Sequence, residues 1–249
     1  MITLLIATRN NHKVGEIRSI LGDPFQCLAL TALSEPPPEV VEDAATFAGN
    51  AAKKALDLAK WLAQRKEGKS GSGRLNVNSQ SFAADGPSAI AYVLADDSGL
   101  EVDALGGAPG VHSARFAALD SGRPGNSTNA ENNAKLLRLL KNVPPEKRTA
   151  RFRCVLALTP VSAARPGVGG ADEFAQRTEI FDGVCEGRIG LELRGNRGFG
   201  YDPLFYPSGF DQTFGELGEE VKNGLSHRAR ALEKLKQWLD QGAEPPLSR

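Results

Sequence analysis

Four separated stretches carry side chains whose types and spacing could do chemistry. At Thr8-Arg9-Asn10-Asn11-His12-Lys13 a short apolar run ends on five polar residues and a lysine. Thr8, Asn10 and Asn11 can donate hydrogen bonds, and Lys13 would stand in a first helical turn beside free N–H groups, a combination suited to a phosphate chain. The same residues also describe a capped helix with a solvated lysine, and they do not match the P-loop pattern G-x-x-x-x-G-K-[ST]. Asp96-Asp97 closes a second apolar run. Adjacent carboxylates repel, and a divalent cation relieves the repulsion; magnesium, Mg2+, which prefers hard oxygen ligands and shares its shell with phosphates and water, suits them. Consecutive strand side chains point to opposite faces, so one crevice receives both acids only if the chain turns, as Ser98-Gly99 permits. An exposed acidic turn fits the same pair. Glu42 and Asp43, ahead of a long helix, could add a metal ligand or cap the helix.

The third stretch is G-N-R-G-F-G-Y-D-P, Gly195 to Pro203. Its glycines let backbone approach a flat ligand closely, and Phe199 and Tyr201 offer faces on which a base could stack. A plain turn with core aromatics has the same composition, and the stretch does not match G-x-G-x-x-G, so a dinucleotide fold gains no support. The fourth is Ser226-His227-Arg228 at a helix start, with Lys222 shortly before it. A single histidine is usually structural, whereas Lys, His and Arg beside a helix N-terminus suit an anion or the carbonyl oxygens of a base.

These stretches need elements to position them. Ile2 to Ala7 and Ile90 to Ala95 read as strands buried on both faces, the second ending abruptly at Asp96. Val14, Ile17, Ile20 and Leu21 recur at helical spacing over Lys13 to Leu21, with Gly22 and Pro24 as the stop. Phe25 to Leu30 reads as a strand. Phe47, Ala48, Ala51, Ala52, Ala55, Leu58, Ala59 and Leu62 mark one face of a long helix reaching about Gln64. Further expectations are a helix over Asn129 to Leu140, a strand over Phe152 to Leu158, β structure over Phe174 to Leu193, a loop over Gly195 to Pro207, and a terminal helix over Ala229 to Leu239 with Ser226 near its N-cap. Strands alternating with helices give an α/β class with a mixed, mostly β-rich central sheet and flanking helices. Residues 66–89 and 162–172 read as flexible insertions in one domain spanning 1–249.

With 41% hydrophobic and 24% charged residues, the 249-residue chain can bury a normal core, and its 30 basic residues balance 30 acidic ones. Such balance supplies no bulk field for nucleic acid or an anionic membrane, and no run approaches the roughly 18 apolar residues of a membrane span. Cys27, Cys154 and Cys185 lack metal or disulfide spacing, so a reducing cytoplasm is the expected compartment.

Together the stretches resemble the inosine triphosphate pyrophosphatase family, the XTP/dITP diphosphatases. The match lies in T-R-N-N-H-K at Thr8 to Lys13, D-D-S-G-L-E-V-D-A-L-G-G-A-P-G at Asp96 to Gly110 with S-A-R-F after it, G-F-G-Y-D-P at Gly198 to Pro203, and S-H-R at Ser226 to Arg228. The resemblance implies a two-lobed α/β fold around a cleft, a homodimer, and hydrolysis of deaminated purine nucleoside triphosphates, ITP, dITP and XTP, to the monophosphate and pyrophosphate. Carried over by position, Thr8, Arg9, Asn10, Asn11, His12 and Lys13 hold the triphosphate with Lys54. Asp97 is the proton acceptor and a Mg2+ ligand, helped by Asp96 and Glu42. Ser98 touches the substrate, and Phe199, Gly200, Tyr201, Asp202, Lys222, His227 and Arg228 hold the base. Arg9 stands where the family often has a small residue, and it either adds a phosphate contact or points to solvent. Two rivals remain at this level: a Maf-type pyrophosphatase acting on other modified nucleotides, and a nucleotide sensor without turnover.

Overall fold

In the computed structural model, residues 2–33, 35–67, 74–77, 80–83, 90–161, 174–175 and 177–242 are described. The chain packs as two compact units. One comprises Met1–Asp97, Val155–Phe181 and Leu232–Arg249, the other Ser98–Cys154 and Asp182–Ala231. The strands of a six-stranded sheet lie in the order Phe25–Ala29, Ile2–Ile6, Ile90–Val102, Thr149–Pro160, Glu179–Ile189 and Phe205–Pro207.

In the first unit β1 (Ile2–Ile6) pairs in parallel with β2 (Phe25–Ala29) on one side and with the start of β5 on the other. Leu4, Leu5 and Ile6 have no exposed surface, which is why the run is apolar throughout and does not alternate. Parallel neighbours need a crossover. Helix α1 (Asn11–Leu21) supplies the first, burying Val14, Ile17 and Leu21, and it ends at Gly22 with φ 59°. Helix α2 (Phe47–Glu67) supplies the second and runs slightly past the expected Gln64. Its buried face is Phe47, Ala51, Ala55, Leu58, Ala59 and Leu62, with one polar member, Asn50.

Strand β5 (Ile90–Val102) corrects the sequence reading. It does not end at Asp96-Asp97 and no turn follows at Ser98-Gly99. The chain stays extended because Leu100 and Val102 resume the buried alternation, both without exposed surface, and that burial outweighs the turn preference of Ser-Gly.

The second unit is built round Leu100, Val102, Phe116, Leu136, Phe152, Ile189, Phe205 and Phe214. It holds a short helix α3 (Ala118–Ser121), α4 (Asn129–Leu139), part of β6 (Thr149–Pro160) and β7 (Glu179–Ile189), β8 (Phe205–Pro207) antiparallel to β7, and α5 (Glu219–Leu225). Helix α6 (His227–Asp240) starts there, with Ser226 Oγ accepting from the Ala229 N–H as an N-cap. The β structure expected over Phe174 to Leu193 is confined to β7. Arg148, 3% exposed, donates to the carbonyls of Leu140, Val143 and Gly190, so the end of α4 and two loops are tied to one cation.

Within the stretch read as an insertion over 66–89, Lys66 and Glu67 end α2, and β3 (Arg74–Val77) pairs antiparallel with β4 (Gln80–Ala83). The alternation of Leu75 and Val77 with asparagines is too short to stand out from the surrounding Gly and Ser. The other residues of that stretch, and 162–172, lie outside the described residues. All three cysteines are free and buried.

Thr128 and Glu131 form a capping box at the start of α4. Hydrogen bonds from the Thr128 backbone N–H and hydroxyl, then Arg123, hold the Glu131 carboxyl down to about 2. A lowered carboxyl stabilises the fold fully above its unfolded value, and the contribution is lost as pH falls towards 2. Thr128→Ala should cost about 1 kcal/mol of unfolding free energy. In Glu131→Gln, the acid-side fall in melting temperature between pH 5 and 2 should be shallower than in the parent chain.

Candidate active site

The first unit gathers one cluster. Where β1 ends, Asn10 N-caps α1, its Oδ1 accepting from the backbone N–H groups of His12 (2.9 Å) and Lys13 (3.4 Å), and Thr8 Oγ1 accepts from the Asn10 N–H. The Asn10 side chain thus occupies N–H groups that the sequence left open for phosphate. Lys13 Nζ donates to Asp96 Oδ1 at 2.5 Å, a carboxylate with no exposed side-chain surface. Lys54 Nζ donates to Asp97 Oδ1 (3.3 Å), to the Asp96 carbonyl (2.9 Å) and to Glu42 Oε2 (3.2 Å). Asn50 Nδ2 donates to Asp97 Oδ2 at 3.1 Å. Because consecutive strand residues face opposite ways, the partners divide by helix: Asp96 goes to α1, and Asp97 goes to α2.

Burial pushes the Asp97 carboxyl above the ordinary carboxylate range, against the pull of Lys54 and Lys13 and with Glu42 adding to the rise. Burial works to lower Lys54, but Asp97, Glu42 and Asp96 outweigh it and hold the ammonium above its usual value. Among the described residues no three His, Cys, Asp or Glu side chains gather as a ready metal cage. Glu42 and Asp97 nonetheless converge on one positive charge. Two hard carboxylates fit Mg2+, which takes one or two of them and fills its shell with phosphate oxygens and water.

The second unit gathers another cluster. Asp202, 2% exposed, accepts at Oδ2 from the Phe199 N–H (2.8 Å) and from Lys222 Nζ (2.7 Å). Lys222 is itself 4% exposed and lies 4.8 Å from the centroid of the half-buried Phe199 ring. Gly198 has φ 74°, and a Cβ there would stand 2.1 Å from Asp202 Oδ2, so only glycine lets the carboxylate lie on this turn. Asn133 Nδ2 donates to the Gly200 carbonyl. Arg228, 1% exposed, donates to Ser98 Oγ at 3.0 Å, and His227 stacks on Phe152 at 4.9 Å between centroids.

A chain with these two clusters has close relatives. The sequence profile of the Ham1 family matches residues 4–238. The chain belongs to the Ham1 family. Similar proteins include a dITP/XTP pyrophosphatase of Desulforamulus reducens, 43% identical over 96% of each chain, and one of Shouchella clausii, 40% identical over 96% of this chain and 98% of that one. Among solved structures, the Staphylococcus aureus Ham1 protein is 31% identical, with a TM-score of 0.68 over 97% of this chain and all of its own. A nucleoside-triphosphatase, dITP/XTP pyrophosphatase of Mycobacterium abscessus is 33% identical, with a TM-score of 0.61 over 94% of this chain and 98% of its own.

Of the residues singled out in the sequence, the structure brings Lys13, Lys54, Glu42, Asp96 and Asp97 into the first cluster and Ser98, Phe199, Gly200, Asp202, Lys222, His227 and Arg228 into the second. The remaining residues singled out in the sequence are placed as follows. Arg9 reaches Glu39 at 3.9 Å with both side chains largely in water. His12 and Asn11 are exposed at the helix start. Tyr201 is 3% exposed within the core, its hydroxyl donating to the Ser113 carbonyl at 2.9 Å. An aromatic in a glycine loop gives no sign of which way it faces, and of the two only Phe199 keeps part of its ring exposed. Asn50 and Ser113 were missed. For Asn50 a signal existed: with Lys54 it forms a polar pair four residues apart on the apolar side of α2. For Ser113, whose hydroxyl accepts from the Leu100 N–H and donates to the Gly110 carbonyl, no local signal exists.

Removing Lys13 takes away the cation that a fully buried carboxylate is bonded to. Lys13→Ala should therefore destabilise the chain by about 3–5 kcal/mol, read from denaturant unfolding, and Lys13→Ala with Asp96→Asn should recover much of that loss. Gly198→Ala should lower the melting temperature, because the added Cβ meets the Asp202 carboxylate at a left-handed φ; an unchanged melting temperature would contradict the fit of Asp202 on this turn.

Proposed function

We propose that this chain hydrolyses the deaminated purine nucleoside triphosphates ITP, dITP and XTP to the monophosphate and pyrophosphate, clearing them from the nucleotide pool. The observation that carries the reading is the Asp97 carboxylate, buried, held at both oxygens, and sharing the Lys54 ammonium with Glu42. Membership of the Ham1 family and the pyrophosphatase relatives support it.

In this reading a water oxygen bonds to the α-phosphorus, the bond from that phosphorus to the bridging oxygen breaks, and pyrophosphate leaves. Asp97 takes the water's proton. Glu42 and Asp97 would hold Mg2+, which supplies charge neutralisation on the phosphate oxygens when bound. Lys54 and Lys13 add positive charge for the triphosphate, with the Asn10 cap placing Lys13 in the first turn of α1. Asp96 orients Lys13. Phosphoryl transfer of this kind is chiefly positioning and charge stabilisation.

The second cluster suits the base. Phe199 offers a stacking face, and the side chains of Lys222, His227 and Arg228, with Asp202 and Ser98 holding two of them, can donate to a 6-oxo group. Adenine presents an amino donor there, and an unpaired buried donor costs ~1–3 kcal/mol, roughly 5- to 150-fold in discrimination. A homodimer in the cytoplasm, with the whole chain acting as one pyrophosphatase domain, completes the proposal. No helix among the described residues is long and apolar enough to cross a membrane.

Pyrophosphate release with Mg2+ should be fast on ITP, dITP and XTP and slow on ATP, GTP, dTTP and UTP. Equal rates on ITP and ATP would refute the base selectivity, and a preference for the pyrimidines would favour a Maf-type enzyme. Asp97→Asn should lower kcat about 10²–10⁴-fold without unfolding the chain; near-parental turnover would remove Asp97 from the mechanism.

A further inference from the structure

We infer that Asn50 is the positioning residue of the acid site: one buried amide sets both the Asp97 carboxylate and the segment that carries Glu42. Asn50 is 1% exposed on a helix face otherwise made of Phe47, Ala51, Ala55 and Leu58. A polar side chain there is costly unless both of its ends are bonded. Both are: Nδ2 donates to Asp97 Oδ2 at 3.1 Å, and Oδ1 accepts from the Ala44 N–H at 2.9 Å.

Ala44 lies two residues beyond Glu42, in chain without regular structure. The same segment is fastened again to the first turn of α2, where Thr46 Oγ1 accepts from the Gly49 N–H and the Thr46 carbonyl accepts from the Asn50 N–H. Its approach is close enough that a Cβ on Gly49 would stand 2.8 Å from Ala44 Cβ. One turn further along α2, Lys54 bonds the other Asp97 oxygen and Glu42 Oε2. Asn50 and Lys54 therefore fix the plane of the Asp97 carboxylate between them, and Asn50 alone reaches the backbone that carries Glu42. Neither leucine nor aspartate reproduces this, since leucine offers no bond and an ionised aspartate cannot donate to Asp97.

This inference rests on the pyrophosphatase reading and acts through Asp97 and Glu42, so it should move kcat and metal affinity more than nucleotide affinity. The test uses the full chain carrying Asn50→Leu, and Asn50→Ala as the second variant should the larger side chain prevent folding. Melting curves establish that the variant is folded. ITP turnover gives kcat and KM, and calorimetric titration with Mg2+ alone, without nucleotide, gives the metal Kd. The expected result is a kcat lowered and a Mg2+ Kd raised, each about 10- to 100-fold, with KM for ITP within about threefold. A folded variant with parental kcat and parental Mg2+ Kd overturns the role of Asn50. A parent chain that does not turn over ITP overturns the pyrophosphatase reading instead, and the Mg2+ titration still decides whether Asn50 holds a metal site.

Discussion

Everything proposed for this chain depends on an uninterrupted strand passing through two adjacent acids. Because β5 stays extended, the side chains of Asp96 and Asp97 leave it in opposite directions, and each must find its own cation within the fold. Asp96 finds Lys13 and Asp97 finds Lys54. A buried carboxylate without a partner would cost several kcal/mol, so the strand dictates where both lysine-bearing helices must start. The Asn10 cap, which begins α1 just ahead of Lys13, and the Thr46–Gly49–Asn50 contacts, which begin α2 just ahead of Lys54, answer that requirement. In the proposed mechanism this division of partners gives the two acids different work, one orienting a lysine and the other facing the reaction.

The second unit obeys the same rule with different members. Asp202 is buried, and Lys222 and the Phe199 N–H satisfy it; Arg228 is buried, and Ser98 receives it. Buried polar groups held this way keep fixed positions, which is what discrimination between a carbonyl and an amino group on a base requires. The glycine at 198 belongs to the same arrangement, since its missing side chain is the space into which the Asp202 carboxylate fits. The aromatic residues of that loop share the labour unequally, Tyr201 building the core and Phe199 keeping a face partly open.

How much of this was legible in the sequence differs by residue, for physical reasons. The apolar runs Ile2 to Ala7 and Ile90 to Ala95 announced buried strands, and the periodicity of α1 and α2 announced their buried faces, because burial imposes its spacing directly on residue type. The polar stretches at Thr8 to Lys13, Asp96-Asp97, Gly198 to Pro203 and Ser226 to Arg228 were legible as a set through their family resemblance. The end of β5 was misread since Ser98-Gly99 has turn chemistry locally, and only the burial of Leu100 and Val102 overrides it. Partners were not legible: nothing near Lys13 in sequence points to Asp96, and nothing near Ser113 points to Leu100 or Tyr201. Asn50 lay between these cases, visible as a polar interruption of an alanine face whose meaning depended on a strand some forty residues away.

The separation of roles between the two acids is tested most directly by a double-mutant cycle on kcat/KM for ITP. The cycle combines Lys13→Met with Asp96→Asn, and in parallel Lys13→Met with Asp97→Asn. If Asp96 acts only by holding Lys13, the first double variant is no worse than the Lys13→Met single, while the second loses activity close to the product of its two single losses. Independent, multiplying losses for Lys13→Met and Asp96→Asn would mean that Asp96 meets the reacting groups itself, and would contradict the account.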